Sequence, residues 1–206
     1  LVPVATGTAG LTWGANGNGP DTLYRMEVST ASDFSGTVSS SQTYLTTATV
    51  SGLTPNATYY LRVQALGLVA TRFDVTVATV TLAAVPAGPA ASGVTSAQAG
   101  LTWGTSGNSE GTEYSMQLST ASDFSGTVSS SRTALTTATV SGLSPSTTYY
   151  LRVKALGRAG SDSAYAATVT TTTLPAAPAG PVVSTAAETS LAVTWGSAGN
   201  PSGTLY

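Results

Sequence analysis

The stretch LTPNATYYLRVQA, Leu53–Ala65, returns ninety positions later as LSPSTTYYLRVKA, Leu143–Ala155. Within the first copy Tyr59, Leu61, Val63 and Ala65 fall on one face, and Tyr60, Arg62 and Gln64 on the other. That period of two predicts a half-buried strand, entered through a turn marked by Pro55 and Asn56. Working outward, LTWG begins at Leu11 and at Leu101 and VTWG at Val193, which spaces Trp13, Trp103 and Trp195 by 90 and 92 residues. LTTATVSGL recurs at Leu45–Leu53 and Leu135–Leu143, and STASDFSGTVSSS at Ser29–Ser41 and Ser119–Ser131. The two-residue difference between copies is confined to Gly67–Phe73 against Gly157–Tyr165, which marks that stretch as a surface loop.

A period near ninety residues suits a small autonomous domain rather than a solenoid repeat. Pro-rich joints around Pro86–Pro89 and Pro175–Pro181 divide the chain into domains expected at 1–83, 84–175 and 176–206. The last of these stops at Tyr206, the counterpart of Tyr24 and Tyr114, so a truncated third domain in a window from a longer array is expected. The short runs LTW, YRMEV and YYLRVQA alternate apolar and polar residues between Gly, Pro, Asn and Ser, and no useful helical period appears. The expected fold class is all-β, a pair of antiparallel immunoglobulin-like sandwiches and part of a third.

Composition narrows the chemistry. Of 206 residues only 8% are charged, and the net charge of −2 supplies no field for nucleic acid or an anionic membrane. There is no Cys, so the domains fold without disulfides, and no His, which removes the commonest general base and metal ligand. No run of 18 apolar residues occurs, so no membrane insertion is expected, and any signal peptide lies outside LVPVATGTAG. Abundant Ser has no His to activate it, and the loop carboxylates Glu110 and Glu113 have no matching pair in the first copy. Asp21, Asp33 and Asp74 belong to no DxDxDG run. No catalytic residue, no metal site and no cofactor is assigned.

The Trp of LTWG, the Tyr-x-Met-x-Val or Leu run and the Leu-x-Pro-x-x-Thr-Tyr entry into Leu-x-Val-x-Ala together resemble fibronectin type III domains. The VSTASDFSG continuation is similar to repeats of large bacterial surface and secreted proteins. The resemblance implies a tyrosine corner at Tyr59 and Tyr149, with Leu53, Pro55, Leu143 and Pro145 leading into it. It implies a structural core of Trp13, Tyr24, Leu53, Tyr59, Trp103, Tyr114, Leu143, Tyr149 and Trp195. The family's Arg-Gly-Asp adhesive tripeptide is absent: Arg158 and Asp162 stand four residues apart.

Three surface features remain as candidates. Asn56-Ala57-Thr58 is a formal N-glycosylation sequon with no counterpart at Ser146, and Asn in a turn is also ordinary turn chemistry. Hydroxyl-rich, charge-poor faces suit a surface glycan. Tyr60 and Tyr150 project outward and are a candidate carbohydrate or contact face, extended in the first copy by Tyr44, which Ala134 replaces in the second. Glu27 and Arg62 should face each other across neighbouring strands as a weak surface pair, with Gln117 and Arg152 in their places later. The expected function is that of a non-enzymatic extracellular or cell-surface structural protein, a stalk, spacer or filament that associates with identical chains or repeats. The alternative is a spacer region of a large secreted carbohydrate-active enzyme or adhesin.

Overall fold

In the computed structural model, which describes residues 4–206, all regular structure among those residues is β-strand. Two compact units form. The first contains the chain up to Val85 together with Thr105–Thr112 and Ala155–Ala164. The second contains Pro86–Gly104, Glu113–Lys154 and Tyr165–Tyr206.

In the first unit β1 (Thr8–Thr12) pairs antiparallel with β4 (Thr47–Ser51). The second sheet runs in the order β3 (Val38–Thr43), β2 (Leu23–Ser29), β5 (Thr58–Leu66) and β6 (Val77–Val80). Every pairing within it is antiparallel. Alternation decides what lies between the sheets: Ala9 and Leu11 from β1, Ala48 and Val50 from β4, Met26 and Val28 from β2, and Tyr59 and Leu61 from β5. Each large side chain so buried contributes about 1.5–3 kcal/mol. Trp13 and Leu53 pack against this cluster while remaining partly exposed. The Trp13 ring meets Tyr24 at 5.5 Å between centroids, tilted by 59°.

The second unit repeats the plan and, among the described residues, has one strand more in its smaller sheet. Here β7 (Ala87–Ser92), β8 (Gln98–Gly104) and β11 (Thr137–Ser141) form one sheet, ordered β11-β8-β7. Opposite it run β10 (Val128–Thr133), β9 (Tyr114–Ser119), β12 (Thr148–Ala155) and β13 (Val169–Thr172). Trp103, Tyr114, Met116, Leu118, Tyr149, Leu151 and Val153 are buried, and Leu143 is partly so. A further hairpin pairs β14 (Ala179–Ala187) with β15 (Ser190–Gly196). Its Trp195 departs from the expected core. The ring meets Tyr206 at 5.9 Å but stays 46% exposed, because no second sheet covers this hairpin among the described residues.

The entry into β5 and β12 is fixed by one tyrosine hydroxyl each. Tyr59 Oη accepts from Thr54 N at 2.9 Å, and Tyr149 Oη from Ser144 N at 3.0 Å. A buried ring thereby satisfies a turn amide that no strand reaches, which locks the preceding loop to the core. Tyr59→Phe and Tyr149→Phe should each keep the ring buried and lose the bond. Each is expected to lower unfolding free energy by about 1 kcal/mol, read as a lower urea midpoint with an unchanged slope.

Candidate functional site

On the outer face of the first unit's four-stranded sheet, Glu27 of β2 stands directly opposite Arg62 of β5. Arg62 donates through Nε and Nη2 to Glu27 Oε2 at 2.9 and 2.7 Å, and Arg25 Nη2 reaches Oε1 at 2.7 Å. The guanidinium is also stacked on two rings, with Phe34 and Phe73 centroids 3.7 and 3.8 Å from its carbon. These rings shield the pair, and Glu27 is only 5% exposed. The weak surface pair expected from the sequence is therefore a half-buried one, with Glu27 buried and Arg62 partly exposed, since two aromatic side chains from loops cover the guanidinium and limit screening by water. The second unit keeps the geometry and discards the acid. Arg152 donates to Gln117 Oε1 at 3.0 and 2.8 Å and lies between Phe124 and Tyr165, 3.7 and 3.9 Å from their centroids.

Phe34 and Phe124 reach their arginines from the repeated STASDFSG turn, and almost every position of that turn is occupied by a bond. Ser29 Oγ accepts from Ala31 N at 3.1 Å, and Thr30 Oγ1 from Thr37 N at 3.1 Å. Asp33 Oδ1 accepts from both Ser35 N and Ser35 Oγ, at 3.0 and 2.6 Å. Asp123 does the same with Ser125, and in both repeats the Ser hydroxyl bond, followed by the amide bond, holds the carboxyl below the ordinary aspartate range. Phe34 and Phe124 both sit at φ 61°, a left-handed conformation costly for a bulky residue, and the stack on arginine offsets that cost. A side chain at Gly36 would collide with Thr30 Oγ1, and one at Gly126 would come within 2.6 Å of Thr120 Oγ1.

A second recurring arrangement uses an asparagine as a substitute strand. In the first unit Asn108 Oδ1 accepts from Ala84 N and Nδ2 donates to Ala84 O, both at 2.8 Å. In the second, Asn200 holds Ala176 through the same two bonds, both at 2.8 Å. A side-chain amide offers the same donor–acceptor pair as a peptide group, so this clamp completes a proline-rich segment whose backbone has no ladder partner.

Asn56 lies within the first unit beside the loops Thr105–Thr112 and Ala155–Ala164. Its Nδ2 donates to Thr112 Oγ1 at 3.0 Å and Leu156 O at 3.1 Å, and its Oδ1 accepts from Arg158 N at 2.8 Å. Its backbone oxygen accepts from Ser109 Oγ at 2.6 Å, and its exposure is 0%. Asn56, a formal sequon in the sequence, is thus a buried residue of the first unit rather than an exposed glycan acceptor. The nitrogen that would carry a glycan spends both hydrogens inside the unit.

The other expected sites are scattered. Tyr60 and Tyr150 are half-buried on their strands, and Tyr44 is well exposed. Glu113 pairs with Arg132 at 2.6 Å, whereas Arg158 Nη2 donates to the backbone oxygen of Glu110. No group of three potential metal-ligating residues forms among the described residues, and Asp21, Asp33 and Asp74 are not drawn together. The clamp asparagines were missed in the sequence reading although Gly-Asn recurs at Gly17-Asn18, Gly107-Asn108 and Gly199-Asn200, a signal available beside each LTWG or VTWG.

Known proteins share this arrangement at the level of fold. The model for the fibronectin type III domain matches residues 1–69 and 84–172. A two-domain fibronectin type III segment of chicken tenascin superposes with a TM-score of 0.61 at 18% identity, covering 83% of this chain and 95% of that one. The FN1–FN3 domains of chicken CNTN1 give 0.40 at 14% identity, covering 83% of this chain and 64% of that one. No curated protein matches the chain in sequence.

The two stacks share the arginine and differ chiefly in its anchor, an acid bonded also to Arg25 in the first and an amide in the second, with Tyr165 in place of Phe73. Arg62→Ala leaves a buried carboxylate with Arg25 alone and is expected to cost about 3–5 kcal/mol. Arg152→Ala leaves a neutral amide and should cost about 1–3 kcal/mol. Chemical unfolding of both variants, followed by near-ultraviolet circular dichroism, checks the order; equal losses would refute the role given to Glu27.

Proposed function

Since this chain belongs to the fibronectin type III domain family over most of its length, we propose that it is a non-catalytic structural spacer of tandem repeats, working outside the cell or on its surface. The observation that carries this reading is the clamp on the joining segments. Ala84 and Ala176 each give both backbone groups to one asparagine, so the Pro-rich segments around them are held rather than left as free tethers. The side chains singled out above do mechanical work: a tyrosine hydroxyl fixes a turn, an arginine stack ties two loops to a sheet, and an amide closes a linker. Repeat number would then set the length of chain between whatever the ends carry.

The measurement is backbone relaxation of the linker. The Ala84 amide should show an order parameter near 0.85, like rigid strand backbone, falling below about 0.6 in Asn108→Ala. An Ala84 amide as mobile as a free chain in the unaltered protein would overturn the reading.

Self-association of identical repeats is the second part of the proposal. The edge strands β3 and β10 begin with the same four residues, Val38–Ser41 and Val128–Ser131, and each has a neighbour on one side only. Their hydroxyls carry no charge to repel a second copy, and Val38 and Val128 are 42% and 43% exposed. Sedimentation velocity should show mass rising with concentration, and Ser40→Lys combined with Ser130→Lys should suppress it. A monomer at every concentration removes self-association and leaves the spacer intact.

A further inference from the structure

The asparagine clamp recurs, and one copy of it, at Asn18, holds no backbone segment among the described residues. Asn18, Asn108 and Asn200 end the same turn, in which the two preceding residues are left-handed: Asn16 and Gly17 at φ 53° and 83°, Ser106 and Gly107 at 55° and 75°, Ala198 and Gly199 at 52° and 80°. Each asparagine amide donates back to the turn's first carbonyl, at 3.0 Å to Ala15, 3.1 Å to Thr105 and 3.0 Å to Ser197. Asn18 Nδ2 is also aimed as Asn108 Nδ2 is, 2.8 Å from Ala15 O where the other lies 2.8 Å from Thr105 O. Asn18 is therefore set in the clamping conformation. Asn108 and Asn200 are buried over Ala84 and Ala176, whereas Asn18 is exposed.

The surroundings of Asn18 match those of a filled clamp with the filling removed. At Gly107 an added Cβ would touch Pro55 at 3.9 Å, and at Gly199 it would touch Pro145 at 3.8 Å. Those prolines belong to the turns that precede Tyr59 and Tyr149. At Gly17 an added Cβ would meet nothing within 4 Å. A cavity of about 590 Å³ opens here, lined by Asn18, Asn16, Trp13, Tyr24, Arg72 and Asp74. Tyr24 is 4% exposed, yet its hydroxyl has no hydrogen-bond partner, whereas Trp13 Nε1 is unpaired here just as Trp103 Nε1 is beside the filled clamp. A buried donor left unpaired costs about 1–3 kcal/mol, which a polar occupant would recover.

We propose that this cavity is the receptor for the end of a further repeat of the same kind. The occupant is the pair of segments seen at the filled clamps. One is a Leu-x-Pro turn, as at Leu53-Thr54-Pro55 and Leu143-Ser144-Pro145. The other is a Thr-Leu-x-Ala strand end, as at Thr81–Ala84 and Thr173–Ala176. The alanine N–H and C=O pair with Asn18 Oδ1 and Nδ2, and the proline covers Gly17. A second copy of this chain does not serve directly, because its Ala84 and Ala176 are already held by Asn108 and Asn200. A repeat joined ahead of Leu1 does. The inference rests on the spacer reading and names the partner of its unfilled face.

The test fuses an additional copy of residues 84–182 ahead of Leu1 in the full chain. This places the added copy's Ala176 as far before Asn18 as Ala84 stands before Asn108, a separation of 24 residues. Amide hydrogen exchange is read at the added Ala176 and at the native Ala84, with and without Asn18→Ala. The added alanine should exchange at least about tenfold more slowly when Asn18 is present, and the Asn18 side-chain amide resonances should move on fusion. Native Ala84 should stay protected in both proteins. Equal exchange with Asn18 and Asn18→Ala, beside a protected Ala84, overturns the receptor alone. Loss of protection at Ala84 itself would instead overturn the spacer reading on which it rests.

Discussion

The outer face of each four-stranded sheet is organised around one guanidinium. Arg62 is held at its edge by Glu27 and on its two faces by Phe34 and Phe73, so one side chain joins β2, β5 and two loops. Such a group suits the task because its edge donates in a fork while its plane stacks, which an ammonium cannot do. The second repeat shows which part is indispensable. Gln117 replaces the acid and Tyr165 replaces a phenylalanine, yet the arginine and its spacing from both rings persist. The stack is therefore the constraint, and the ion pair is one way to anchor it. The left-handed backbone at Phe34 and Phe124 goes with it, bringing each ring over its arginine.

Much of the fold was legible from periodicity. The alternation of Tyr59, Leu61 and Val63 stated which side of β5 is buried, and Leu-x-Pro before Tyr59 stated how the strand is entered. These signals are local, since strand sidedness and turn chemistry act over a few residues. The candidate sites were less legible because they depend on partners far away in sequence. Asn56 looks like any turn asparagine until Thr112, Leu156 and Arg158 close over it. Glu27 and Arg62 were paired correctly by strand order, but their burial comes from Phe34 and Phe73, whose ring positions no alternation pattern encodes. Trp195 shows the converse: the motif forms, and burial fails where the opposing sheet is missing from the described residues.

The scarcity of charge gives the molecule its manner of holding together. With only 8% charged residues, many of the recurring joints are made by amides and hydroxyls: Asn108 on Ala84, Thr81 on Thr54 and Ala57, Tyr59 on Thr54. Such bonds act over about 3 Å and are indifferent to salt, whereas attraction between exposed charges is screened within about 10 Å at 0.1 M. A protein assembled in this way keeps its geometry across ionic conditions. It also has little long-range repulsion to keep identical surfaces apart.

That consideration bears on the identity of STASDFSGTVSSS in the two repeats. Read as a sequence, the stretch looks permissive, and its first nine residues prove otherwise. Ser29 and Thr30 cap the turn, Asp33 pins Ser35, Phe34 must bend back, and Gly36 has no room for a side chain. Folding thus explains Ser29–Thr37 nearly residue by residue. It does not explain Val38–Ser41, where Ser39 and Ser40 are exposed on an edge strand and an alternative polar residue would pair with β2 equally well. The turn is identical because it must hold an arginine. The strand that follows has no such duty within the fold, and nothing in the structure explains its sameness in both repeats.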